Sequence, residues 1–257
     1  MRAHLVQLDI AWEDKPTNHR RIKDLLAPIT VEAGDLIILP EMFDTGFSMN
    51  VETTHDADGR SLAFCQALAQ STGAFVHGSR TVLDADGWAR NRATIHDGDG
   101  DLAREYDKIH PFSFGRETER FRGGASVTTW QWAYGGESIC VCPAVCYDLR
   151  FPELFRTGLT MGAEAYVIGA NWPDARAEHW RALLIARAIE NQAFVIGVNR
   201  AGRDPYLDYA GGSLVVDPLG RVVADAGEGE RVVSARIDAE VCRQWRSRFP
   251  AWRDRRP

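Results

Sequence analysis

The sequence predicts an α/β sandwich. Short apolar, β-branched runs alternate with stretches of helical periodicity, and hairpin-type turns separate several of the strands. That mixture fits a sandwich better than a purely parallel doubly wound sheet, whose strands would each need a crossover helix. At 257 residues the chain is long enough to bury a large core. No linker rich in Pro, Ser or Gly, no repeat and no low-complexity segment divides it, so residues 1–257 are read as one domain.

The opening stretch, Met1 to Ile10, alternates as a strand does and lacks the apolar centre of a signal peptide. Arg21 to Leu26 reads as helix and precedes the strand Leu36 to Leu39; Leu62 to Gln70 repeats that order before Ala74 to His77. The turn signals Asp84-Ala-Asp-Gly87 and Asp97-Gly-Asp-Gly100 suit hairpin connections. Further strands are Ser138 to Cys142, Ala165 to Ile168, Phe194 to Val198 and Ser213 to Val216, the last followed by the turn Asp217-Pro-Leu-Gly220. Trp180, Leu183, Leu184 and Ala188 recur at helical spacing, with Glu178 and Arg181 toward solvent. The Arg-rich end, Arg243 to Arg256, reads as a solvated tail.

A formal net charge of -6 argues against a nucleic-acid partner, because phosphate binding relies on clustered Lys and Arg. No apolar run approaches the roughly 20 residues needed to span a bilayer, so no membrane association is expected. Five cysteines, an odd number in a chain without a signal segment, point to reduced thiols and hence to the cytoplasm.

Three segments carry chemistry. In Asp35-Leu-Ile-Ile-Leu-Pro-Glu-Met-Phe43, Pro40 ends ladder pairing and holds Glu41 at a strand mouth; taken alone, the segment reads more plainly as a capping or salt-bridged glutamate. In Glu105-Tyr-Asp-Lys-Ile-His110, Lys108 sits among aromatic and aliphatic neighbours that can desolvate its ammonium; a surface lysine is the plainer reading. The strongest signal is Cys140-Val-Cys-Pro-Ala-Val-Cys-Tyr-Asp-Leu-Arg-Phe-Pro-Glu153, an apolar strand ending at Cys146. A thiol at such an elbow meets substrate while the Tyr147 N–H faces a developing oxyanion. Cys140 and Cys142 are expected in the core, and Cys65 on a helix face. No metal is expected, since the Cys-x-x-Cys pairs of structural zinc are missing. A Cys-His hydrolase using His110 or His179 as base is a second possibility without local signatures to support it.

Taken together, Leu39-Pro-Glu41, Tyr106-Asp-Lys108 and Val145-Cys-Tyr-Asp-Leu-Arg-Phe-Pro-Glu153 resemble, in order, the three signature blocks of the nitrilase superfamily of carbon-nitrogen hydrolases. Asn171-Trp-Pro173, His179-Trp180, Ala186 to Gln192 and Asp217 to Gly220 extend the resemblance over nearly the whole chain. It implies a four-layer α-β-β-α sandwich, a catalytic Glu41, Lys108 and Cys146, a second glutamate at Glu117 rather than Glu119, no cofactor, and a homodimer or larger homo-oligomer. Asn171-Trp-Pro173 with Glu190-Asn-Gln192 looks most like the bacterial omega-amidase branch, which deamidates 2-oxoglutaramate and 2-oxosuccinamate. Tyr147, Trp172 and Arg116 are then the substrate-binding candidates. That branch carries Arg where this chain has Ser113, so Arg116 is the first choice to bind the substrate's remote carboxylate. Arg150 is the second, although an ion pair with Glu153 would serve it equally. An N-carbamoyl amino acid amidohydrolase, a nitrilase and a catalytically silent binding relative are the competing readings.

Overall fold

The computed structural model describes residues 1–256. Along the chain come β1 (Arg2–Gln7), α1 (Lys15–Leu26), β2 (Leu36–Ile38), α2 (Val51–Thr54) and α3 (Arg60–Thr72). Three antiparallel strands follow: β3 (Phe75–Leu83), β4 (Ala89–His96) and β5 (Leu102–Asp107). The second half starts with β6 (Trp130–Tyr134), β7 (Glu137–Val145), α4 (Pro152–Thr160), β8 (Ala165–Ala170), α5 (Ala177–Asn191) and β9 (Phe194–Asn199). The short hairpin β10 (Ala201–Arg203) and β11 (Asp208–Ala210) precedes β12 (Leu214–Val216), β13 (Val222–Asp225), β14 (Arg231–Arg236) and α6 (Ala239–Arg248).

Two six-stranded sheets result, in the orders β14-β1-β2-β3-β4-β5 and β13-β12-β9-β8-β7-β6. Their inner faces meet through Leu5, Leu36, Ile38 and Phe75 on one side and Ile139, Val141, Val167 and Ile196 on the other. The alternate residues face outward. Val6, Ile37 and Val76 receive Ile22 of α1 and Leu68 of α3, while Ala144, Ile168 and Val195 receive Phe155 of α4 and Leu184 of α5. Because both faces of the central strands are covered, these strands read as unbroken apolar runs. The layers are therefore α-β-β-α, and the hairpins expected at Asp84–Gly87 and Asp97–Gly100 join β3 to β4 and β4 to β5.

The Arg-rich end differs from the expected solvated tail. Arg243 of α6 pairs with Glu164, and Arg246 donates to the backbone carbonyls of Ala163, Asn191 and Gln192. Those carbonyls lie at the end of α5 and in the loop before β8, where helix and strand ends leave acceptors unfilled; the guanidinium fork satisfies three of them at once.

Cys142 sits fully buried in β7 against the outer helical layer, touching Gly158 of α4 closely enough to leave no room for a Cβ there. Cys142→Ala is expected to cost about 1 kcal/mol and lower the melting temperature by about 2–4 °C, with turnover kept. A folded Cys142→Ala protein without activity would contradict this packing role, and calorimetry beside a rate assay checks it.

Candidate active site

The chemistry-bearing residues cluster beyond the carboxyl ends of strands, where α/β sheets leave backbone groups and loops free to form a crevice. Glu41 follows β2 by three residues, Lys108 follows β5, Cys146 follows β7 and Asn171 follows β8. Gly169 lets β8 approach the Glu41 segment: a Cβ there would lie 2.9 Å from the Leu39 carbonyl oxygen and 3.1 Å from the Glu41 nitrogen. Among the described residues five non-glycines adopt left-handed φ, and three of them adjoin this cluster: Met42 after Glu41 (φ 43°), Arg116 before Glu117 (φ 61°) and Cys146 itself (φ 45°). Such backbone is sterically costly and persists only where its surroundings hold it.

What holds the Cys146 elbow is Asp148. Its fully buried carboxylate accepts from the Val145 N–H at 3.0 Å, the Tyr106 hydroxyl at 2.6 Å, the His110 N–H at 3.0 Å and the His110 Nδ1 at 2.8 Å. Tyr106 and His110 flank Lys108, so one carboxylate links the strand that carries the lysine to the turn that carries the thiol. Tyr147 lies in the first turn of the short 3-10 helix Cys146–Arg150, where a backbone N–H has no partner within the helix.

Glu41, Lys108 and Glu117 are buried and bonded together. The Lys108 ammonium donates to Glu41 Oε1 and to Glu117 Oε2, each at 2.8 Å. Glu117 Oε2 also accepts the Phe112 N–H at 2.6 Å. Glu41 Oε1 accepts from Asn91 Nδ2 at 2.8 Å, and Oε2 from the Asn171 N–H at 3.0 Å. The Cys146 sulfur stands beside Glu41 and 3.8 Å from the Asn171 carbonyl oxygen. Burial, with Glu41 adding to it, pushes the thiol well above its ordinary range, so the resting sulfur keeps its proton. Burial also raises the Glu117 carboxyl, against the pull of Lys108. Burial works against the Lys108 charge, yet Glu117 and Glu41 outweigh it and hold the ammonium protonated.

The cluster opens into a cavity of about 700 Å³ whose lining includes Cys146, Tyr147, Trp172, Arg116, Arg150 and Arg176. Glu119, the glutamate passed over in favour of Glu117, lies outside on the surface and binds Arg116. Arg116 thus lines the rim, three-quarters exposed, with its guanidinium taken by Glu119 at 2.9 and 2.8 Å. Arg150 forms no ion pair with Glu153; it lies 4.8 Å over the Trp172 ring and contacts His179. Neither histidine serves the thiol. His110 is bound to Asp148 and stacked 3.7 Å from Phe151, and His179 is exposed beside Arg150. Cys140 and Cys142 lie on one buried strand, and among the described residues no three His, Cys, Asp or Glu side chains are arranged to hold a metal ion.

A carbon-nitrogen hydrolase family model matches residues 2–247. The chain belongs to that family. It is 37% identical to the omega-amidase YafV of Yersinia enterocolitica, covering 99% of this chain and 96% of the relative. It is 33% identical to the 2-oxoglutaramate amidase of Bacillus subtilis, covering 97% and 95%. Among solved structures, a carbon-nitrogen hydrolase superfamily protein of Xanthomonas campestris with an arsenic adduct in its active site superposes with a TM-score of 0.91. That protein is 38% identical, and the match covers 100% of this chain and 97% of the other.

Two residues of this hydrolase's site escaped the sequence reading. Asn171 was visible only as part of a motif, and its N–H and side-chain bonds to Glu41 span 130 positions. Asn91 gave no signal, since a lone asparagine in a strand ordinarily suggests an edge or a turn.

Proposed function

We propose that the chain is a cofactor-free cytoplasmic amidase, one catalytic unit active as a homo-oligomer, that cleaves a short ω-amide to a carboxylate and ammonia through a Cys146 thioester. What carries this reading is the buried, mutually bonded group of Glu41, Lys108 and Glu117 beside a protonated thiol. As the sulfur attacks the amide carbon, its proton passes to Glu41, and the carbonyl π electrons move onto oxygen. Lys108 and the Tyr147 N–H donate to that oxyanion; one such donor is typically worth about 3–4 kcal/mol. When the tetrahedral adduct collapses, the carbon-nitrogen bond breaks and Glu41 gives its proton to the nitrogen, which leaves as ammonia. Water then attacks the thioester carbon and loses a proton to Glu41, and the departing sulfur recovers one. Glu117 keeps Lys108 and Glu41 in register through the shared ammonium.

The similarity to an omega-amidase and a 2-oxoglutaramate amidase supports 2-oxoglutaramate as this chain's substrate, with the shorter 2-oxosuccinamate the second candidate. The test is product release across a panel of ω-amides, N-carbamoyl amino acids and nitriles. Ammonia without carbon dioxide, fastest from the 2-oxo ω-amides, is the expected result. Carbon dioxide with the ammonia would indicate a carbamoyl amidohydrolase, acid from a nitrile a nitrilase, and no turnover with any of them a silent binding relative.

A further inference from the structure

A short ω-amide of the proposed kind ends in a carboxylate, and a carboxylate entering a cavity rich in aromatic side chains needs donors, because an unpaired buried charge is strongly disfavoured. The cavity offers three arginines. Arg116 is the least suited, being exposed and already neutralised by Glu119, so that water and its partner screen it. Arg150 and Arg176 are both half-buried and line the same cavity as Cys146, and among the described residues neither has a carboxylate within ion-pair distance. Arg150 rests on the Trp172 ring, and Arg176 lies 5.7 Å from the centre of the Phe112 ring. Aromatic faces hold a guanidinium flat while leaving its in-plane N–H groups free for an anion.

Trp172 joins the two. Its indole Nε1 donates to the Arg176 carbonyl oxygen at 2.8 Å while its face carries Arg150. Its backbone N–H is anchored to Asn199 Oδ1 at 2.7 Å, and its ring packs against Trp180 at 5.6 Å between centres. The preceding residue, Asn171, grips Glu41. One dipeptide after β8 therefore fixes the proton-handling carboxylate with its first residue and, with its second, carries the Arg150 guanidinium on its ring and holds the backbone of Arg176, whose own guanidinium lies by Phe112.

We infer that Arg150 and Arg176, presented by Trp172, receive the substrate's remote carboxylate and set the enzyme's preference for anionic ω-amides. This assignment rests on the proposed amidase reading. It also gives a place for carboxylate recognition that does not depend on an arginine at Ser113.

The experiment compares glutaramate with valeramide, amides of equal chain length that differ in the terminal carboxylate, and reads the ratio of their kcat/KM values. In the wild type the ratio should favour glutaramate. Arg150→Gln and Arg176→Gln should each lower it about tenfold to a hundredfold, mainly through the KM for glutaramate, as expected for loss of a charge-assisted hydrogen bond. Arg176→Lys should keep part of the preference, and Arg176→Glu should reverse it while thermal melting reports a folded protein. Equal losses on both amides in the two Gln variants would overturn the clamp and leave the amidase reading standing. A selective loss in Arg116→Gln but in neither of the others would return the role to the rim and also overturn it. No hydrolysis of either amide by the wild type would instead reject the amidase reading.

Discussion

Cys146→Ala is expected to lower ammonia release by at least about a thousandfold while the melting temperature stays within about 3 °C of wild type. The first part follows from covalent chemistry: without the sulfur no thioester forms, and the other residues can only orient water and substrate. The second follows from what the thiol touches. The thiol is buried beside Glu41 and lies 3.8 Å from the Asn171 carbonyl oxygen, and since it also lines the cavity, truncating it enlarges existing space rather than opening a new void. The backbone strain at φ 45° is unchanged, since alanine also carries a Cβ. Cys146→Gly should be as inactive and somewhat more stable than the alanine variant, by about 1 kcal/mol, because glycine relieves left-handed strain. Mass spectrometry after a small alkylating agent should find the adduct on Cys146, which lines the cavity beside the base Glu41, whereas Cys65, Cys142 and Cys242 are buried away from that cavity. Turnover above about a hundredth of wild type in the alanine variant would remove Cys146 from the nucleophile's role.

Glu41 and Cys146 were legible because each follows a strand whose apolar run marks where the backbone leaves the sheet, whereas Lys108 follows the largely polar strand Leu102–Asp107 and stood out only as part of a motif. Leu36 to Leu39 ends before Glu41, and Val141 to Val145 ends at Cys146; a polar residue at such an end is conspicuous in sequence. Partnership over long distance was not. Whether Arg116 or Arg176 can meet a substrate depends on Glu119 neutralising the first and on the second lying by the Phe112 ring without a carboxylate partner, contacts that no periodicity encodes. The C-terminal arginines misled for a related reason. A charge run has the same appearance in a tail as in a helix whose guanidinium groups fill the carbonyls of neighbouring elements, and only the approach of α6 to Gln192 distinguishes the two. His110 was a candidate base under the Cys-His alternative, yet Asp148 uses it to hold the elbow.

Lys108→Met should have the second largest effect, and it should appear in stability as well as rate. The side chain is nearly isosteric, so the volume is kept, but the ammonium now bridging Glu41 and Glu117 at 2.8 Å disappears. The oxyanion loses a charged donor, which should reduce kcat about a hundredfold to a thousandfold. The two buried carboxylates lose their common partner, and removing one member of a buried ion cluster costs on the order of 3–5 kcal/mol. The variant relieves this by protonation. Burial already raises the Glu117 carboxyl against the pull of Lys108, and without that pull it rises further. A carboxyl whose folded-state pKa exceeds the unfolded value of about 4.3 contributes stability that is full below that value and is lost as pH rises through the folded pKa. The variant's deficit in melting temperature relative to wild type should therefore be small near pH 5 and grow toward pH 8. Adding Glu117→Gln removes the repulsion, so Lys108→Met with Glu117→Gln should recover most of the melting temperature at pH 8 and none of the rate. Recovery of both would mean that Lys108 only neutralises its neighbours, and normal turnover in the single variant would exclude it from the oxyanion altogether.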